Sequence, residues 1–531
     1  MRMDSTMCRH ILLLIFAASV AATDFEFQQH VPCKPLQVQH GQVCVNQANY
    51  CDTLEVPIKR SRNGYTLVTS SLSGDRFSYK YGRIIPSDQD GTSDASIEID
   101  RQQKYDGCEF VGWGGGFSGA VSYVLDRLPR NIRSCVYRSY FSSYSGIGLS
   151  MLRLTMGGSS SDFEPWTYSE TPEHDVSLPT FTQLDPRDVQ RNRQIKEILE
   201  VSERRDFKIL SFPKSAPPWM KKNNNFVGGA NSQLRPEYSQ AWADYYVKYL
   251  YYMQKDGIRI WAVTSGDEPV VASIVSEFEF MGWKAADQGR WIADYLGPTI
   301  RRSEFEKVKI FVFDENRAEI VKYMEEMVAS APHVLNYTDA IAVHGHTDWK
   351  SSSTLLDATK QAYPDKPIYM TEKSFGIGNV PAPLKGVLLG SWERAENLTV
   401  ELIDNLNHGV SAYIYWNFIL NNMGGPNYAK NFIDSPIIVN EDYTAIYKQP
   451  MFYAFAHFKF IAVGSRRITA RIAGLDAASI HSVAYSCPDG TTAIVLYNFS
   501  ATKTVTLSVR DRSKGVIRLS VKSKSISSLI Y

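Results

Sequence analysis

Acid–base and ion-pairing side chains in this sequence gather at the ends of short apolar runs. Ile260 to Val270 reads IWAVTSGDEPV, apolar residues that stop on Gly266, Asp267, Glu268 and Pro269. Adjacent carboxylates at the end of a buried-looking run must be solvated, paired or partly neutralised, because an isolated buried charge is very costly. PIYMTE ends on Glu372, KIFVFD on Asp314, AIAVHGH on His344 and His346, and SAYIYWN on Trp416-Asn417, while Arg153 lies within GLSMLRLTM. Two glutamates on separate elements, facing each other about 5–5.5 Å apart, are the machinery of retaining glycoside hydrolysis: one is acid/base and the other nucleophile. Each also has an ordinary alternative. A carboxylate after a strand often caps the next helix, and Asp314-Glu315-Asn316 reads better as such a cap than as a catalytic pair. His344 alone could equally be a satisfied core histidine.

The elements that must position these residues are legible as eight apolar runs. They are Phe110 to Gly114, Gly148 to Met156, Lys208 to Phe212, Arg259 to Ser265, Lys309 to Asp314, Ala340 to His346, Pro367 to Glu372 and Ser411 to Asn417. Nearly continuous apolar runs suit parallel strands buried on both faces. Helical patterns separate them, such as RDVQRNRQIKEILEVSERR and EYSQAWADYYVKYLYYMQKDG, the second closing on Gly257 as a C-cap. The pattern predicts an α/β fold, a (β/α)8 TIM barrel over residues 105–445. Its active site belongs at the carboxyl ends of the strands, with Glu268 after strand four and Glu372 on strand seven. The flanks, about 64–100 and 465–531, alternate with period two, as in KTVTLSV. They predict an antiparallel β domain built from both chain ends, residues 23–104 contributing one segment and 446–531 the other.

Composition narrows the function classes. The chain has 531 residues, enough for a large barrel with additions. MRMDSTMCRH followed by ILLLIFAASVAA has the basic start, apolar stretch and small-residue end of a signal peptide, predicted over 1–22. It is too short for a membrane anchor, and no later run is long and apolar enough to span. Removing it takes away Arg2, Arg9 and Asp4, so a net charge of +1 becomes 0, which argues against nucleic acid as a partner. Six cysteines remain: Cys33, Cys44, Cys51, Cys108, Cys135 and Cys487. In an oxidising lumen some should pair, and Cys33 with Cys44 would clip the N-terminus. A zinc site is the rival use, without a Cys-x-x-Cys or His spacing to support it. Sequons at Asn336, Asn397 and Asn498 agree with the secretory pathway.

The motifs YCDT, WAVTSGDEP, AVHGH, GGPNYAKNFIDSPIIV and YKQPMFYAFAHFKFI together resemble the lysosomal glucosylceramidases (acid β-glucosidases) of glycoside hydrolase family 30, in the barrel clan A. The resemblance covers essentially the whole mature chain. It implies a barrel, an immunoglobulin-like β domain formed from both chain ends, and a small N-terminal sheet. It also implies hydrolysis of glucosylceramide at acid pH on anionic lipid surfaces in the lysosome, aided by a saposin-type activator and requiring no cofactor or metal. Glu268 takes the acid/base position and Glu372 the nucleophile position, while Arg153, Asp162, Trp416 and Asn431 fall where the family shapes its glucose site. The mechanism expects Glu268 protonated while Glu372 is ionised, with mutual repulsion and local hydrogen bonds separating their pKa values.

Departures from the family cluster at the mouth. Asp267 stands for an asparagine, Lys214 for a tryptophan, His346 for the tyrosine that contacts the nucleophile, and Lys373 for a small residue. The spacing from Arg153 to Asp162 is two residues longer than the family's. Asn46 replaces a cysteine, leaving Cys51 without its expected partner. An ionised Asp267 is expected to accept from a sugar hydroxyl and to raise the pKa of Glu268 by like-charge repulsion. The altered pocket keeps two other readings open: a glycolipid-binding relative with weak or no turnover, and a hydrolase of another β-glycoside.

Overall fold

The computed structural model describes residues 30–56, 63–104, 109–377 and 384–531. The signal peptide expected over 1–22, and Cys108, lie outside the described residues. All eight apolar runs contribute strands to one closed parallel barrel. In chain order they are β1 (Gly112–Phe117), β2 (Met151–Thr155), β3 (Lys208–Phe212), β4 (Ala262–Thr264), β5 (Lys309–Asn316), β6 (Ala340–His344), β7 (Ile368–Glu372) and β8 (Val410–Tyr415). Successive side chains on a strand point to opposite faces, and the packing follows that period. Met151, Leu210, Ala262, Phe311, Ala340, Ala342, Tyr369, Ala412 and Ile414 form one apolar cluster. Their neighbours Leu152, Ile209, Val263, Val312, Ile341, Met370 and Tyr413 belong to the larger core instead. Each strand is thus apolar on both sides, which is why the runs are continuous rather than alternating.

The two long helical patterns form helices Pro186–Ser202 and Ser239–Lys255. Asp185 caps the first by accepting from the Arg187 backbone N–H at 2.9 Å. Gly257 follows the second at φ +82°, a conformation that favours glycine. β1 is glycine-rich for a packing reason: a Cβ on Gly116 would lie 2.1 Å from the Trp416 ring.

The chain ends interleave in a nine-stranded sheet. Across it run Gly515–Val521, Val505–Asp511, Ala95–Lys104, Arg466–Gly474, Ile480–Ser486, Thr492–Asn498, Ser525–Ile530, Gly64–Ser71 and Ser78–Arg83. It has its own apolar core, with Ile97, Leu496, Val505, Leu507 and Leu529 at its centre. The first strands, Pro35–Val38 and Gly41–Gln47, do not join it. They pair in a separate five-stranded sheet with Ala445–Lys448, Ile437–Val439 and Ile419–Leu420, the small N-terminal sheet that the resemblance implied.

Cys33 is bonded to Cys44 as expected. Cys51 is not left alone: it pairs with Cys135, tying the N-terminal arm to helix Arg130–Phe141. Asn46, at the position of the missing cysteine, accepts from the Asp52 backbone N–H at 2.7 Å. A buried ion pair of Lys448 with Asp52, 2.8 Å, fastens the same arm. Cys487 is a buried free thiol. Asn498 is buried, and its side-chain amide donates to the carbonyls of Lys503 and Val521, both at 3.0 Å, so that sequon is closed in the folded chain.

Candidate active site

Arg153 on β2 organises the carboxyl end of the barrel. It is completely buried, and its guanidinium donates to three carboxylates from three other elements. Nη2 reaches Asp267 Oδ1 and Asp314 Oδ2, each at 2.8 Å, and Nη1 pairs with Glu372. The Phe212 ring on β3 lies against the guanidinium face, 3.4 Å from Cζ. A buried cation that meets several anions is the arrangement that offsets its desolvation.

Asp267 is held from both sides. Arg153 takes Oδ1 and Lys214, from the loop after β3, pairs with Oδ2. Lys214 is itself 7% exposed and lies over the Phe280 ring at 4.5 Å. The departures noted at 214 and 267 thus meet in space as one buried Lys–Asp pair. Both Asp267 oxygens are occupied by cations, which corrects the expectation of an ionised Asp267 free to accept from a sugar and to repel Glu268.

Glu268 follows at φ 44°, a left-handed conformation that is uncommon for a side chain of this kind and often found at functional sites. Its Oε1 is approached by three groups: His344 Nδ1 at 3.3 Å, Asn316 Nδ2 at 3.2 Å and His346 Nε2 at 3.9 Å. Burial pushes the Glu268 carboxyl up, but the His344 hydrogen bond, His346 and Lys214 outweigh it and hold the pKa at about 2. This too corrects the expectation of a raised Glu268. For Glu372, burial is likewise outweighed by Arg153, Lys214 and the His346 hydrogen bond, which hold it well below the usual glutamate range. His346 Nε2 stands 3.2 Å from Glu372 Oε1, so one imidazole nitrogen lies between the two candidate glutamates.

Asp314 and His344 belong to the site, against the plainer readings of both. In β5 the register with β6 shifts between Phe313 and Glu315, and Phe313 and Asp314 take φ of 77° and 52°. A bulge re-aims side chains near active sites, and this one brings Asp314 onto Arg153, His344 and Thr371. His344 Nε2 meets Asp314 Oδ1 at 3.0 Å. Burial disfavours a charged imidazole, but Asp314 and Glu268 raise His344 to about 10. Glu315 is a cap, though of its neighbour: it accepts from the backbone N–H groups of Val270 and Val271 after β4, at 2.9 and 3.0 Å.

Of the remaining candidates, Trp416 forms a wall, its ring 5.5 Å from Phe212 and 5.7 Å from the Arg153 Cζ. Asp162 and Asn431 do not join the charged cluster. The Asp162 carboxylate accepts from the Ser159 N–H and hydroxyl at 2.9 and 3.2 Å, and burial pushes its pKa up to about 7. It lines a cavity of about 340 Å³ with Trp166, Arg187 and Arg191. Asn431 closes a turn on Asn427. Lys373, beside Glu372, turns away to the Gly345 carbonyl at 2.6 Å and Glu401 at 2.5 Å.

Sequence comparisons agree with this architecture. Residues 110–461 match the glycosyl hydrolase family 30 TIM-barrel domain, and residues 464–529 the family 30 beta sandwich domain. The chain belongs to glycosyl hydrolase family 30. It is 30% identical to the lysosomal acid glucosylceramidase of Mus musculus over 506 residues, covering 94% of this chain and 95% of the relative. An endo-1,6-beta-D-glucanase of Trichoderma harzianum is 25% identical over 428 residues, 77% of this chain and 81% of that one. Among solved structures, SrfJ from Salmonella typhimurium superposes with a TM-score of 0.77 at 20% identity, covering 88% of this chain and 99% of SrfJ. The chain is thus a family 30 glycoside hydrolase with a parallel eight-stranded barrel and a β sandwich.

Proposed function

We propose that this protein is a retaining β-glucosidase of lipid glycosides, with glucosylceramide as its substrate, Glu372 as nucleophile and Glu268 as acid/base. One observation carries the reading: a single nitrogen, His346 Nε2, lies 3.2 Å from Glu372 and 3.9 Å from Glu268. Carboxyls that meet one side-chain nitrogen face a common space at the barrel mouth, as the acid/base and nucleophile of a retaining pair must. Glu372, kept ionised by Arg153, attacks the anomeric carbon as the glycosidic bond breaks. In the free site the proton shared by Glu268 and His344 rests on the imidazole. It passes to Glu268 Oε1 and from there to the departing oxygen, which leaves Glu268 as the base that admits water.

Exposed apolar side chains support a lipid substrate. Phe163, Ile274, Trp349 and Met423 are 62, 76, 76 and 60% exposed on loops that follow β2, β4, β6 and β8, all on the carboxyl side of the barrel. Apolar side chains exposed on that side offer contacts to lipid, and delivery to the lysosome with a saposin-type activator belongs to the same reading. The Lys214–Asp267 pair favours a second reading, a hydrolase of another β-glycoside, since it replaces an aromatic platform with a charge. Acid-pH assays on glucosylceramide in anionic vesicles, a soluble β-glucoside and a β-1,6-glucan oligosaccharide separate them. Release of glucose from the lipid supports the proposal; turnover of the glucan alone overturns it in favour of the second reading.

A further inference from the structure

The His-Gly-His segment after β6 brings two imidazoles onto the oxygens of the two candidate glutamates. His344 Nδ1 and His346 Nε2 approach the same oxygen, Glu268 Oε1, at 3.3 and 3.9 Å. Their ring planes cross at 86°, with centroids 5.6 Å apart. Glu372 Oε1 is a further 3.2 Å from His346 Nε2. The three atoms from Glu268, His344 and His346 all lie within 4.8 Å of one another. Around a tetrahedral ion with bonds of about 2.0–2.1 Å, donor atoms stand roughly 3.3 Å apart, close to the shorter of these separations.

One further feature resembles a built site. Metal-bound histidines usually hand their second ring nitrogen to a carboxylate that fixes the ring, and His344 Nε2 already meets Asp314 Oδ1 at 3.0 Å. His346, whose side chain is 6% exposed, lacks that support: its buried Nδ1 has no hydrogen-bond partner. That leaves the ring held only through the nitrogen that faces the two glutamates. The donor set, two imidazoles and carboxylates, selects zinc-class ions over calcium or magnesium, which favour oxygen ligands.

We propose that the substrate-free site binds one zinc-class divalent ion through His344 Nδ1, His346 Nε2 and Glu268 Oε1, with Glu372 able to close the shell. The ion takes the place of the hydrogen between His344 and Glu268. It ties up both glutamates that the proposed hydrolysis uses, so metal and glycoside exclude one another, and the ion acts as an inhibitor rather than a cofactor. Arg153 and Lys214, both in the cluster, repel the ion and set its affinity below that of a dedicated zinc site.

The test is calorimetric titration of the purified full chain with zinc chloride at pH 7, without substrate, together with X-ray absorption of the one-to-one complex. One site with two imidazoles in its first shell is expected, and His346→Phe should weaken it at least tenfold. No binding, a shell with one imidazole or none, or an unchanged affinity in a folded His346→Phe protein would each overturn the proposal. If that variant does not fold, the absorption spectrum of the unaltered chain still decides. None of these readings depends on turnover, so the metal site and the assigned hydrolysis can fail separately.

Discussion

Replacing Asp267 with asparagine strands a buried lysine. Lys214 and Asp267 are 7% and 1% exposed, and Lys214 has no other carboxylate within ion-pair distance among the described residues. Arg153 keeps Glu372 and Asp314 when Asp267 is neutralised, so the cost falls mainly on Lys214. Removing one partner of a buried pair costs about 3–5 kcal/mol, because the other charge stays desolvated. Methionine at 214 removes that charge while keeping an unbranched side chain of similar length. The double variant Asp267→Asn with Lys214→Met should therefore recover much of the loss. Urea unfolding of all four proteins in the cycle, followed by tryptophan fluorescence, should give a coupling energy of about 2–3 kcal/mol. Effects that add to within about 0.5 kcal/mol would refute Lys214 and Asp267 as one coupled unit. By the same reasoning a lone Asp267→Asn should lower kcat/KM, and a rise would count against the pair.

Glu268→Ala should slow glucosides with poor leaving groups far more than activated ones, and added azide should restore turnover; equal losses without rescue would make Glu268 structural. His457, buried between the Ser70 and Ser528 hydroxyls, is lowered by burial to about 3. The unfolded chain takes up that proton near pH 6.5 and the folded chain does not, so stability drains away as pH falls from about 6.5 towards 3. His457→Gln should therefore lose about 2–3 kcal/mol less between pH 7 and 4.5 than the unaltered protein, and an unchanged pH dependence would contradict the assignment. Cys51 and Cys135 are 84 residues apart in sequence. Replacing both with serine should cost up to about 4–5 kcal/mol in chemical denaturation, while a loss under about 1 kcal/mol would mean that the bond constrains little.

The barrel was legible because its strands are apolar on both faces, and the β domain because strands such as Val505–Asp511 alternate. Glu268, Glu372 and Arg153 were legible as polar interruptions of those runs. Asp314 was not: a bulge at Phe313 turns it inward, and bulges leave no periodic mark in the side chains. The Lys214–Asp267 pair was visible only as two separate oddities, since 53 residues separate its members and nothing local couples them. A raised pKa was expected of Glu268, and missed, for the same reason. Its neighbour in sequence, Asp267, suggested repulsion, whereas its neighbours in space are His344 and His346. Cys135 as the partner of Cys51 likewise depends on helix Arg130–Phe141 packing beside the N-terminal arm.

The most direct test of the central claim is to trap the glycosyl-enzyme. A 2-fluoro-β-glucoside with an activated leaving group should inactivate the protein and add one fluoroglucosyl mass to the peptide that contains Glu372, with Glu372→Gln left unlabelled. Label on Glu268 or Asp314, or turnover with inverted stereochemistry and no covalent species, would contradict the account.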